Sequence, residues 1–291
     1  MRRARLPLFV VVAAVVATAC AIALGSRGGP GARRAAPVSR SCPGPRTAFG
    51  PGHHPPACWR PYAATSPFNR AIPERPRLLA GSAAIVSELT GWGPPQQLLA
   101  GHADTSSDYF HPLYWSAPTD PVFTIRCVRF GRCPVEGLRI RVPDAARPAG
   151  GADGHLAVID TRSGWEYDFW QVRAKPRGGG ELVVSYAGRT RIDGSGLGSN
   201  ATAAWFGLAA GIIRGPEMEA GTIPHALFIH VRCTAGRSVY PAHSGTTAAP
   251  CSRLGIDQTN APPLGARLWL DRKSTRLNSS HIQKSRMPSS A

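Results

Sequence analysis

The 291-residue sequence holds no CxxC pair and no Cys/His spacing of the zinc type, so a zinc site is not expected. It has no internal repeat. Its strands do not alternate regularly with helices, which argues against a doubly wound parallel sheet. The glycine-rich run at 189–200, RTRIDGSGLGSN, lacks the strand–turn–helix context of a dinucleotide loop. Ser195 within it is followed too late by a helix for a nucleophile elbow. No cofactor is therefore expected. Acidic residues are scarce, 17 against 34 Lys and Arg, for a formal net charge of +17.

That charge is concentrated at the ends. Residues 1–37 carry six Arg and no acid, and residues 272–291 carry five Lys or Arg and no acid; the remaining 23 basic and 17 acidic residues leave +6. A mild basic excess suits an anionic wall or glycan and does not demand nucleic acid. Residues 1–5 are basic and residues 6–24 are apolar and uncharged, the pattern of an export signal or anchor. Cleaved export is the expectation, with lipidation of Cys20 after Ala17-Thr18-Ala19 as the alternative. Residues 1–25 thus read as signal or anchor and 26–65 as a Pro/Gly/Arg-rich stalk. Residues 66–271 read as one globular domain. The patternless tail at 272–291, RKSTRLNSSHIQKSRMPSSA, reads as non-native and adapter-derived. The expected location is extracellular or on the cell envelope, with membrane contact only through the N-terminus.

Of seven cysteines, setting Cys20 aside leaves six, and an even count in an exported chain reads as disulfides. Spacing alone cannot choose among the pairings, but it suggests Cys42–Cys58, Cys127–Cys133 and Cys233–Cys251.

The stretch at 153–172, DGHLAVIDTRSGWEYDFWQV, reads as a β-hairpin. Its first strand is apolar and β-branched. Its turn, Asp160 to Gly164, is dense in turn formers. Alternation puts Trp165, Tyr167, Phe169 and Gln171 on one face of the second strand and Glu166, Asp168, Trp170 and Val172 on the other. Further strands are expected at 122–128, 138–142, 181–187 and 223–232, with two more near Tyr240-Pro241 and 264–270. Helices are expected at 82–90, at 201–213 and in a short turn starting at Pro216. The sum is a mainly β domain, a single antiparallel β-sandwich or jelly roll with one or two covering helices.

The blocks SPFN, CPVEGLRI, DGHLAVID, WEYDFWQ, GSGL, IPHAL, YPA and GARLWLD resemble, in that order, a group of secreted actinobacterial proteins. The resemblance covers nearly all of residues 66–271. It implies secretion and a single domain, and that the Asp168 position accepts Glu; it supplies no activity.

His155 opens one apolar strand and His225, after Pro224, opens another. Were those strands neighbours, His155, His225 and Asp168 would form a proton-handling set. A partly buried Asp168 beside an indole would have a raised pKa, while Glu166 reads as solvent-facing. Tyr167, Trp170 and Gln171 would line a substrate cleft, and the aromatic loop with Tyr109 and Trp115 would stack on sugar rings. The expected function is an exported carbohydrate-active protein, a glycoside hydrolase or polysaccharide lyase acting on cell-wall glycan. The alternative is a non-catalytic glycan-binding or wall-associated module. A thiol-dependent peptidase or transpeptidase is disfavoured, because none of the six cysteines reads as free.

Overall fold

The computed structural model describes residues 55–92, 109–199, 201–243 and 250–269. The chain divides into two compact units, Met1–Pro37 and Val38–Ala291, and every described residue belongs to the second. The signal or anchor with Cys20, Cys42, the greater part of the stalk and the tail at 272–291 lie outside the described residues. No helix among the described residues is long and apolar enough to cross a membrane.

The fold is mainly β. Six strands form one mixed sheet: β1 (Leu113–Ser116), β2 (Val122–Cys127), β3 (Arg139–Arg141), β4 (Leu156–Asp160), β5 (Trp165–Ala174) and β6 (Gly180–Arg191), ordered β1-β4-β5-β6-β2-β3. The expectation of purely antiparallel pairing is corrected, since β1 runs parallel to β4 and β2 parallel to β6. The physical reason is the connections. The chain between β1 and β4, and between β2 and β6, is long enough to return to the same end of the sheet.

The central hairpin forms as its sequence dictates. Leu156 pairs with Phe169 and Asp160 with Trp165. Asp160 Oδ1 accepts the Arg162 N–H at 3.0 Å, and Gly164 takes φ +70° to close the turn. One face of the sheet packs Phe123, Ile125, Leu156, Val158, Phe169 and Leu182 into the larger core. Each such fully buried side chain contributes about 1.5–3 kcal/mol. The other face is covered as well. Ile159 and Trp115 pack there against Trp59, Tyr62, Phe68 and Ala209. Trp59 and Tyr62, which the sequence assigns to the end of the stalk, are therefore core residues.

Helix α1 (Ser82–Gly91) and the short α2 (Gly215–Ala220) occur where expected, α2 with Pro216 in its first turn and Gly221 at φ 63° after its end. Three expectations fail. The alanine-rich stretch at 201–213 forms only a 3₁₀ turn, Leu208–Gly211, because Trp205 takes φ 60° and the Ala209 amide is bound to a side chain. Residues 223–232 pair in no ladder; the Ala226 N–H goes instead to the Phe68 carbonyl. Among the described residues near the C-terminus, isolated bridges join Thr234 to Pro250 and Ser238 to Leu264 in place of the two expected strands.

Two of the three expected disulfides are present, Cys127–Cys133 and Cys233–Cys251, with Cα atoms 6.0 and 4.8 Å apart. Cys58 is also disulfide-bonded.

Candidate functional site

Strand β5 carries most of the chemistry the sequence singles out, and its alternation divides that chemistry between buried and exposed surfaces. Glu166 and Asp168 point to the second core, opposite Ile159 and Ala157 of β4, and both are fully buried. Glu166 is thus not solvent-facing. Its neighbours on that face are Ile159 of β4, Thr190 of β6 and the second carboxyl, Asp168, and the turn at Leu208–Gly211 closes over it. Glu166 Oε2 accepts the Tyr62 hydroxyl at 2.6 Å and Oε1 accepts the Ala209 N–H at 2.8 Å. Gly207 is required here, because a Cβ would strike the Tyr62 hydroxyl and lie 3.1 Å from Glu166 Oε2.

Burial raises the Glu166 carboxyl above its ordinary range, opposed by its hydrogen bonds from Ala209 and Tyr62. Burial, followed by the Glu166 charge, raises Asp168 well above the carboxylate range. Neither Asp168 oxygen has a partner in good hydrogen-bond geometry, though Glu166, Ser199 and the Leu208 N–H all act on it. A protonated Asp168 is the state this surrounding favours, since two buried carboxylates cannot both ionise cheaply. The indole expected to cause the shift is not its source.

His155 lies at the end of the same face, and its Nδ1 is 3.3 Å from the Phe169 carbonyl. Burial lowers its pKa, with Asp153 opposing. His111 packs edge-on against it, ring centroids 4.7 Å apart, and burial pushes His111 down to about 3. His225 belongs to another cluster. Its Nε2 lies 3.0 Å from Glu217 Oε1, and its Nδ1 is 2.8 Å from the Ala226 carbonyl. Glu217 also pairs with the buried Arg214 guanidinium and accepts the Arg214 N–H. Burial pushes the Glu217 carboxyl up, but its bonds to His225 and Arg214 outweigh that and hold it low. The structure therefore gathers His155 with His111, Asp168 with Glu166, and His225 with Glu217 and Arg214. The three residues expected to form one set have three different sets of partners. His225 is apart because residues 223–232 do not join the sheet, whereas His155 and Asp168 share a face but have different neighbours along it.

The exposed chemistry lies at the far end of β5. Trp170 donates its indole N–H to Asp153 Oδ1 at 3.1 Å and stacks on Phe130, centroids 6.0 Å apart. Phe130 is 71 % exposed at the tip of the Cys127–Cys133 loop. The Arg129 guanidinium lies over both rings, 5.2 Å from Phe130 and 5.8 Å from Trp170, and Tyr186 meets Phe130 edge-on. Gln171 follows, its Oε1 accepting from Ser185 at 2.8 Å and from Arg173 at 2.7 Å. Arg173 continues into a groove of about 630 Å³ whose charged lining also includes Arg147, Lys175, Arg177 and Asp144. Among the described residues only four non-glycine residues have positive φ, and Phe130 (62°) and Gln171 (52°) are two of them. Backbone held in this region costs free energy and clusters at binding surfaces.

The remaining expected binding residues are dispersed. Tyr167 is in the larger core and edges a separate groove of about 460 Å³ with Arg139, Arg141 and Arg162. Trp115 is buried in the second core, which takes it out of reach of a sugar, whereas Tyr109 is exposed. Sequence reasoning missed Phe130, Arg129 and Arg173. The signal for Phe130 was a large aromatic between two arginines in a five-residue disulfide loop.

No protein-family model, curated protein or solved structure matches this chain.

Proposed function

We propose that the chain is an exported, envelope-associated module that binds anionic polysaccharide without cleaving it. One observation carries the reading: the exposed Phe130, stacked on the half-buried Trp170 beside Arg129, leads through Gln171 and Arg173 into a basic groove. Flat aromatic faces suit the apolar faces of pyranose rings, and arginine forks suit carboxylate or phosphate groups on a polymer. The disulfides agree with an oxidising compartment. Sedimentation with a uronic-acid polymer and with a neutral glucan tests this: retention on the first and little on the second is expected.

The hydrolase or lyase reading rests on Asp168, whose raised pKa suits a general acid. For turnover, Tyr62 and the turn at Leu208–Gly211 would have to move aside, because the carboxyl is fully buried. Released reducing ends or unsaturated products in the same assay would favour it over binding alone.

A further inference from the structure

The imidazoles of His111, His155 and His230 meet at one end of the sheet. Strands β1 and β4 run parallel with Leu113 opposite Ala157, so His111 and His155, each two residues earlier, arrive side by side. Their ring centroids are 4.7 Å apart. His230 comes from the irregular segment that crosses this end, with its ring centroid 5.5 Å from that of His111. Phe228 fixes the approach: it packs on His111 at 6.3 Å and on Phe68 at 6.1 Å. No single stretch of sequence predicts the grouping, since its members are separated by 44 and 75 residues.

The surroundings are those of a ligand set. A carbonyl can only accept, so His155 Nδ1, 3.3 Å from the Phe169 carbonyl, carries its proton and leaves Nε2 with an available lone pair. A histidine whose second nitrogen is tied to a carbonyl in this way is held in the tautomer and orientation that metal ligation uses. Asp153, linked to Trp170, acts on the same ring. His111 and His230 make no hydrogen bond through their rings among the described residues. His230 is exposed, so its side chain can turn its nitrogen towards the other two at little packing cost. The preformed group Cys127, Cys133 and Glu136 is no competitor, because its sulfurs are joined in a disulfide and supply no thiolate.

We propose that His111, His155 and His230 bind a late first-row divalent cation of the Zn²⁺ class, with His230 swinging in as the third ligand. Three neutral imidazoles suit Zn²⁺, Cu²⁺ or Ni²⁺ and do not suit Ca²⁺ or Mg²⁺, which take oxygen ligands. The position beside Trp170 places the cation next to the aromatic surface, yet the proposal does not depend on what that surface binds.

The test is calorimetric titration of the untagged, chelator-treated chain with Zn²⁺, run beside His230→Ala and His243→Ala. His230 is exposed, so its variant should fold normally, and near-identical far-ultraviolet circular dichroism verifies this. The expected result is saturable uptake by wild type and His243→Ala, weakened about tenfold or more in His230→Ala. A Cu²⁺-loaded sample should show nitrogen hyperfine structure from imidazoles in its electron paramagnetic resonance spectrum. No saturable uptake, or uptake equal in wild type and His230→Ala, would overturn the site.

Discussion

The Phe130 ring lies nearly parallel to that of Trp170, 14° between planes, across forty residues of sequence. The contact joins the tip of a disulfide loop to Trp170 of β5, which pairs with Tyr186 of β6. Both partners are aromatic, and one is left largely in water. A residue placed only for stability would gain by turning inward. The stack is instead held outward by a left-handed φ at Phe130 and a loop closed at Cys127–Cys133.

Removing the outer ring should therefore cost binding and little stability. Phe130→Ala is expected to weaken affinity for an anionic polysaccharide about tenfold, roughly 1.4 kcal/mol. Its urea midpoint should stay near that of wild type, because the ring is mostly exposed. Affinity electrophoresis and an unfolding curve on the same sample check both halves. A lower midpoint with unchanged retention would make Phe130 structural.

The Tyr62–Glu166 bond ties the N-terminal segment to the centre of the sheet. Tyr62→Phe leaves one oxygen of a buried carboxyl without its donor and should destabilise by about 1–3 kcal/mol in urea unfolding. Gly207→Ala should be at least as damaging, because the added methyl strikes that same hydroxyl. A neutral outcome for both would mean that the turn at Leu208–Gly211 is not packed over Glu166.

Asp168 sets a pH dependence of unusual sign. Well below the ordinary carboxylate pKa of about 3.9, Asp168 holds its proton both folded and unfolded. Above that pKa the unfolded chain releases the proton while the buried carboxyl keeps it. The folded state then binds more protons, and this group's contribution to stability falls as pH rises until the folded Asp168 itself titrates. Asp168→Asn removes the proton from both states. The stability of the variant relative to wild type should therefore grow between pH 4 and neutrality. Urea midpoints at the two pH values measure the difference, and a constant offset contradicts a raised Asp168.

The disulfides give a covalent prediction. Mass spectrometry of exported protein under non-reducing conditions should find no free thiol at Cys58, Cys127, Cys133, Cys233 or Cys251. Replacing Cys233 and Cys251 together by Ser opens a loop with a sequence separation of 18 and should cost about 3 kcal/mol in the chain-entropy model.

Local rules carried the hairpin, α1, α2 and the Cys127–Cys133 and Cys233–Cys251 pairings, because each depends on spacing within twenty residues. They failed where the decision was tertiary. The β4 run LAVID is apolar at every position but the last, the mark of a strand buried on both faces, and it told against a solvent-facing Glu166 opposite Ile159. Reading β5 alone hid this. The alanine-rich composition of residues 201–213 favoured a helix, but Glu166 took an amide from it and Gly207 had to approach Tyr62 closely. His225 looked like a strand residue because its segment alternates, but its imidazole is held by Glu217, which also pairs with Arg214, away from the sheet. The Phe130–Trp170 contact and the grouping of His111 with His155 depend on loop path and strand register, which no local pattern encodes.

The most direct measurement is the affinity of the exported chain for a soluble uronic-acid polymer, compared with Arg173→Ala and with a neutral glucan, with products assayed in parallel. The account predicts saturable binding to the anionic polymer, at least tenfold weaker binding by Arg173→Ala, little binding to the neutral glucan, and no released ends. Equal retention on both polymers with Arg173→Ala unaffected, or steady release of oligosaccharide, would contradict it.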